Sequence, residues 1–251
     1  MSPRLSQVLL TDQNWLQRLS SRINDAAFGV EWACGRGALT EYLLPQRDFL
    51  LGMELDWQFC RELATRLGGK KFGLIQTDIL DYPLPDRSAP YPLVGNLPYH
   101  LTGPLMIKIL RSSHRLEQFA GLIQQEVAER ITAQPGDRNY GSLSLLFDLC
   151  GEVKAIYQVP PGAFTPAPEV NSTWIEYTPG EIDFDFETVR KLSRHLFRYP
   201  RKTLLNNLAD NKEAKDNWRN WLENKNIDSR IRPNKLTPQL FREVYRKWEE
   251  I

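Results

Sequence analysis

Apolar residues follow two rhythms along this chain. Phe28 to Cys34, Phe49 to Leu55, Phe72 to Ile75 and Leu93 to Gly95 are short runs closed by polar or glycine-bearing turns. Between them, Ala38 to Leu44 and then Phe59, Leu63 and Leu67 repeat at helical spacing, as do Leu105, Met106 and Ile109 further on. The short runs read as buried strands and the repeats as helices, with Asp56 and Thr102 as helix N-caps. Their alternation predicts a parallel sheet covered by helices on both faces. Ligands of such sheets bind beyond the carboxyl ends of the strands. Gly35 and Gly37, Glu54, Asp78 and Asn96 each stand at or just after such an end, so four strands bring them to one rim.

Glu126 to Thr132 and Ser142 to Leu149 read as helices. Val153 to Val159 and Ser172 to Tyr177 read as strands joined through the Pro-rich loop Pro160 to Pro168. The composition shifts near Thr178-Pro179-Gly180; beyond it lie helical segments carrying Trp218, Trp221, Leu222, Phe241, Tyr245 and Trp248. The expected organisation is an α/β domain over residues 1–180 followed by a small all-α domain over residues 181–251.

Charge adds little, since 32 Lys and Arg face 31 Asp and Glu in 251 residues. A nucleic-acid partner would have to be met by a local basic surface. Cys34, Cys60 and Cys150 are scattered, so neither a disulfide framework nor a zinc site follows from them. No apolar run approaches the roughly 20 residues of a membrane span, and Met1 to Leu10 makes a poor signal peptide. A monomer working in the cytoplasm, away from membranes, is expected.

Four segments carry candidate chemistry. Glu31 to Thr40 is a strand, a turn with Gly35 and Gly37, and a helix start; glycines there let backbone approach a ligand, although such a turn is often only a turn. Glu54, roughly 20 residues after the turn, is placed either to accept hydrogen bonds from a ribose diol or to cap a helix, and Asp56 is the better cap. Asp78 suits an adenine amino group and a turn equally well. Asn96-Leu97-Pro98-Tyr99 is more specific. The exocyclic nitrogen of adenine is a poor nucleophile, because its lone pair is delocalised into the ring. The Asn96 side-chain oxygen and the Leu97 carbonyl can accept its two hydrogens and free that lone pair to attack a methyl sulfonium. Pro98 holds the turn, and Tyr99 offers a ring on which an extruded base can stack.

These segments, in this order, resemble the rRNA adenine N6-dimethyltransferase family. The likeness extends through Gln125 to Arg130, Tyr140-Gly141-Ser142-Leu143-Ser144, Val159 to Ser172, Phe197 to Leu208 and Arg232 to Leu236, and so covers nearly the whole chain. It implies a Rossmann-like class I methyltransferase sheet. It also implies S-adenosyl-L-methionine over Ala33, Gly35 and Gly37, with Glu54 on its ribose, Asp78 on its adenine and Asn96 at its reactive end. Tyr99 and Phe164 are expected to sandwich the target base, and Gln7 to help close over the methionine end. The implied reaction is dimethylation of adenines near the 3′ end of small-subunit rRNA during ribosome assembly. The related large-subunit rRNA methyltransferases and a non-catalytic rRNA-binding assembly factor are the alternatives.

The chain departs from the family where Ala33 replaces a glycine, Cys34 a proline, Val8 an asparagine and Pro200 an arginine. Ala33 adds only a methyl group, tolerable at a strand end of negative φ. Cys34 reads either as a reactive thiol or as a small turn residue. Arg198, Arg201 and Lys202 remain as candidate phosphate contacts on a basic stretch that otherwise reads as a solvated helix face.

Overall fold

In the computed structural model, which describes residues 8–69 and 71–249, the apolar runs form the strands of one seven-stranded sheet. The strands are β1 (Leu9–Leu10), β2 (Phe28–Trp32), β3 (Phe49–Glu54), β4 (Phe72–Gln76), β5 (Tyr91–Asn96), β6 (Leu116–Gln124), β7 (Gly151–Val159), β8 (Phe164–Thr165) and β9 (Ser172–Pro179). The large sheet runs β4-β3-β2-β5-β6-β9-β7, and β1 pairs separately with β8. Strands β2 to β6 are mutually parallel, but β9 lies antiparallel to β6. The sheet is therefore mixed, not wholly parallel as the alternation predicted. The strand β6, whose apolar centre is Phe119–Ile123, is an addition to the runs read from the pattern.

The helices are α1 (Gln13–Ser20), α2 (Ala38–Leu43), α3 (Trp57–Leu67), α4 (Thr102–Arg111), α5 (Gln125–Ile131), α6 (Ser142–Cys150), α7 (Phe186–Leu196), α8 (Leu204–Leu208), α9 (Lys212–Asn224) and α10 (Pro238–Glu249). Side chains alternate across a strand, so Leu50, Val94, Ala120, Leu122 and Trp174 share a face and bury against Leu16 and Leu19 of α1 and Leu39 and Leu43 of α2. Tyr177 points to the opposite face and meets Ser113, just beyond α4, at 2.9 Å. Asp56 caps α3 by accepting from the Gln58 N–H at 2.8 Å, as expected. Thr102 does not cap α4; it is the first residue of the helix, and its hydroxyl donates back to the Tyr99 carbonyl at 3.0 Å.

The chain divides into two compact units, residues 1–128 with 152–180, and residues 129–151 with 181–251. Besides the break at residue 180 there are two more, after residues 128 and 151, because the segment around α6 clusters with the C-terminal helices. Within that unit the Ser142 and Ser193 hydroxyls meet at 2.8 Å, and the Tyr140 and Phe197 rings at 6.1 Å. The α7 helix buries Val189, Leu192, Ser193 and Leu196, the stripe expected of an amphipathic helix.

Candidate active site

Register sets the rim. Trp32 of β2 lies opposite both Met53 of β3 and Gly95 of β5. The next residues, Ala33, Glu54 and Asn96, stand at one level: Glu54 and Asn96 end their strands, paired with Gln76 and Leu122, and Ala33 is the first residue beyond β2. Strand order reverses between β2 and β5, which opens the crevice where such sheets take ligands.

The turn after β2 is left-handed at three positions, Ala33 (φ 54°), Gly35 (φ 53°) and Gly37 (φ 80°). The expectation of a harmless Ala33 fails here, because its φ is positive and its Cβ crowds the carbonyl that follows. Ala33→Gly is expected to raise stability by about 1 kcal/mol. Urea unfolding of the two proteins checks this, and an unchanged midpoint would show the strain to be absent. Cys34 is buried, burial pushes its thiol pKa far up, and its sulfur approaches the Glu31 and Met53 carbonyls at 3.4 and 3.7 Å. It is a turn residue, not a reactive thiol. Its own N–H reaches the Met53 carbonyl at 3.4 Å, a bond that a proline could not make.

Glu54 is 4% exposed and already engaged. Its Oε2 accepts from the Gly35 N–H at 2.7 Å, and its Oε1 accepts from the Leu55 and Asp56 N–H groups, both at 2.9 Å. A carboxylate has about four acceptor sites, so one site, on Oε2, remains for a hydroxyl instead of the two expected for a diol. Asp78 turns the chain after β4, its Oδ1 accepting from the Leu80 N–H at 2.8 Å. The Lys108 ammonium, on α4, holds that loop through the carbonyls of Ile79 at 2.6 Å, Leu80 at 3.0 Å and Tyr82. Lys108 escaped the sequence reading; its only signal is a cation inside an apolar helical stripe.

Asn96 donates its Nδ2 hydrogen to the backbone carbonyl of Val8 at 2.8 Å. That bond decides which amide atom is nitrogen and turns Oδ1 away from Val8. The loss of an asparagine side chain at position 8 leaves this contact intact, because the backbone makes it. The following turn is braced on both sides: Leu97 N–H donates to the Leu122 carbonyl at 3.1 Å, and the Pro98 carbonyl accepts from Leu101 N–H at 3.0 Å. Tyr99 is half-buried, its hydroxyl 2.5 Å from that of the fully buried Ser172, and burial raises its pKa. Ser172 is a second anchor that the sequence did not reveal, lying 73 residues away. His100 is exposed.

Phe164 stands differently from expectation. It is 4% exposed and packed with Leu10, Val159, Ala163 and Trp174, while β1 pairs across β8 through Leu10 and Phe164. An apolar ring beside that core gains more from burial than from exposure at the rim, and Phe164 is part of the core. Gln7 lies outside the described residues. Arg198, Arg201 and Lys202 are exposed in the second unit.

One buried carboxyl beneath the turn carried no expected role. Glu31 on β2 accepts from the Thr40 hydroxyl at 2.6 Å. Burial, opposed by that hydrogen bond and aided by the charge of Glu54, raises its pKa from 4.5 to about 8. The folded chain therefore keeps a proton that the unfolded chain releases between those values. Stability is expected to fall as pH rises from 4.5 to about 8 and then to level. Denaturant unfolding across that range should show the slope in the wild type and its loss in Glu31→Gln; equal slopes would assign it to other groups.

The left-handed turn, Glu54, Asp78 and Asn96 thus stand along one rim of the sheet, at the carboxyl ends of β2 to β5. The family model described as ribosomal RNA adenine dimethylase matches residues 1–248. Ribosomal RNA small subunit methyltransferase A of Levilactobacillus brevis is 32% identical over 93% of this chain and 85% of its own length. The protein of that name from Thermotoga maritima is also 32% identical, over 99% of this chain and 85% of its own. A dimethyladenosine transferase structure from Plasmodium falciparum superposes with a TM-score of 0.84 at 23% identity, covering 96% of this chain and 98% of its own. The 23S rRNA methyltransferase ErmE shares the fold with a TM-score of 0.73 at 17% identity, covering 96% and 99%.

Proposed function

Because the chain belongs to the ribosomal RNA adenine dimethylase family, we propose that it transfers methyl groups from S-adenosyl-L-methionine to adenines near the 3′ end of small-subunit rRNA, two per amino nitrogen, as the subunit assembles. The unit of residues 1–128 and 152–180 is its catalytic part, and the helical unit contacts RNA. An rRNA substrate in an assembling subunit places the work in the cytoplasm, and a monomer suffices for it. Among the described residues, no helix is long and apolar enough to cross a membrane.

The donor set fits the cofactor. Its adenosine would lie over the turn of Ala33, Gly35 and Gly37, where left-handed backbone without a Cβ at the two glycines allows close approach. Glu54 would hold one ribose hydroxyl, and the outer oxygen of Asp78 would face the adenine amino group. Bound there, S-adenosyl-L-methionine supplies an electrophilic methyl group on a sulfonium.

The observation that carries the reading is the bond from Asn96 Nδ2 to the Val8 carbonyl. It leaves Oδ1 as an acceptor already aimed, so no reorientation is needed when the substrate amine arrives. Asn96 Oδ1 and the Leu97 carbonyl take the two amine hydrogens and turn the nitrogen lone pair toward its target. Tyr99, pinned by Ser172, offers its ring to the extruded base. A strong base is unnecessary, since the amine proton becomes acidic only after the new C–N bond forms.

Unmethylated small subunits incubated with the protein and S-adenosyl-L-methionine, followed by mass spectrometry of rRNA digests, test the proposal. Dimethyladenine near the 3′ end is the expected product. Methylation confined to large-subunit rRNA, or none at all, would overturn the reading.

A further inference from the structure

Residues 198–202 join α7 to α8 in the helical unit, and all of them are exposed. The stretch from Thr188 to Ala209 holds six Lys and Arg and no Asp or Glu, in a chain whose net charge is only +1. Within it, the Arg198 guanidinium carbon lies 5.1 Å from the centre of the Tyr199 ring, and the Lys202 ammonium lies 4.4 Å from the same centre. The ring itself is 43% exposed.

The loop that carries this ring is held from below. The buried Asn207 side chain accepts from the Tyr199 N–H at 3.1 Å, then donates to the Tyr199 carbonyl at 3.2 Å and to the Thr203 carbonyl at 3.1 Å. The Lys202 N–H also donates to the Tyr199 carbonyl, at 3.0 Å. A side chain bonded to both polar groups of one residue fixes that residue's backbone, so the ring sits at a set place.

We propose that Tyr199 organises Arg198 and Lys202 into a two-cation clamp for an RNA phosphate. The inference rests on the reading that the chain acts on rRNA, and it names the contact that reading leaves open. The ring face attracts both cations and restricts two long side chains that are otherwise mobile. Two cations held near one ring raise the local positive potential, which a bound anion lowers. Among the described residues no carboxylate forms an ion pair with either cation. Pro200 stands where the family has an arginine, so fewer cations are present and their organisation counts for more. A phosphodiester has the charge and the several acceptor oxygens that such a pair takes.

The test measures binding of the full chain to an rRNA fragment from the 3′ end of the small subunit, over a series of salt concentrations. Tyr199→Leu is expected to weaken binding about fivefold to tenfold and to lower the salt slope by about 0.7 to 1, the amount due to one phosphate contact. Tyr199→Phe keeps the ring and should bind as the wild type does. In a Lys202→Gln background, Tyr199→Leu should add less than it does alone, since the two act together. Circular dichroism and thermal unfolding of the full chain check that the helical unit of each variant is folded. Weaker binding with an unchanged slope would mean that the ring stacks on a base, and would overturn the clamp. So would a Tyr199→Leu protein that binds rRNA normally, or one weakened only toward poly-glutamate. Failure of the wild type to bind rRNA would overturn the functional reading itself, which the methylation assay reports separately.

Discussion

Asn96→Ala is expected to lower the rate of methyl transfer by roughly 10²–10³-fold, the loss usual when one preorganised electrostatic partner of a reacting group is removed. The amine of adenine reacts only when its lone pair is drawn out of the ring, and Asn96 Oδ1 is the side-chain acceptor we propose for this. Asn96 is half-buried and its nitrogen is already tied to the Val8 carbonyl. The wild type therefore spends nothing on orienting it when substrate binds. Asn96→Asp should fail as well, because a carboxylate cannot donate to Val8 and is repelled by its carbonyl. Single-turnover methylation at saturating cofactor separates the chemical step from binding. A rate for Asn96→Ala within tenfold of the wild type would remove Asn96 from the mechanism.

Gly37→Ala should destabilise the catalytic unit by about 3 kcal/mol, combining the cost of left-handed backbone with that of overpacking. At φ 80° an added Cβ would run into Leu63 Cδ2 and stand 2.9 Å from Arg66 Nη2. Leu63 yields less easily than Arg66, whose side chain is nearly half-exposed. Leu63 is fully buried on α3, and Arg66 is tied to Glu41 at 3.1 Å and to the Arg36 carbonyl. The melting temperature should fall on the order of 10 °C, and S-adenosyl-L-methionine affinity should fall with it, since the same turn forms the proposed seat. Calorimetry with and without cofactor reads both effects. A melting temperature within a degree of the wild type would show that the turn adapts. Ala33 already bears the first of these costs without the second, so Ala33→Gly and Gly37→Ala should shift stability in opposite directions.

The departures from the family pattern thus fall into two kinds. Val8 and Cys34 change side chains at places where the backbone makes the bond: the Val8 carbonyl still holds Asn96, and the Cys34 N–H gains the Met53 carbonyl. Ala33 changes a residue whose backbone angle is the function of the position, and only there does strain remain. Loss of catalysis does not follow from any of them.

Sequence periodicity and turn chemistry were enough to place the strand ends, the Asp56 cap, the glycine turn and Asn96-Leu97-Pro98-Tyr99, because each is encoded within a few neighbouring residues. Family resemblance then assigned the chemistry. What tertiary structure alone decided are the partners. Val8 reaches Asn96 across 88 residues, and Ser172 reaches Tyr99 across 73. Glu54 gives up most of its acceptor sites to N–H groups of the turn and of its own strand end. Lys108 leaves an apolar stripe to hold the loop behind Asp78. Phe164, an aromatic in a matching motif, is buried in the core, and the strand paired beside it comes from the other end of the chain. The residues 129–151 join a unit whose remainder begins at residue 181. A pattern along the chain records which residues prefer burial and how the backbone turns. It holds no record of which distant group meets them, and that meeting is what sets Asn96 in its working orientation.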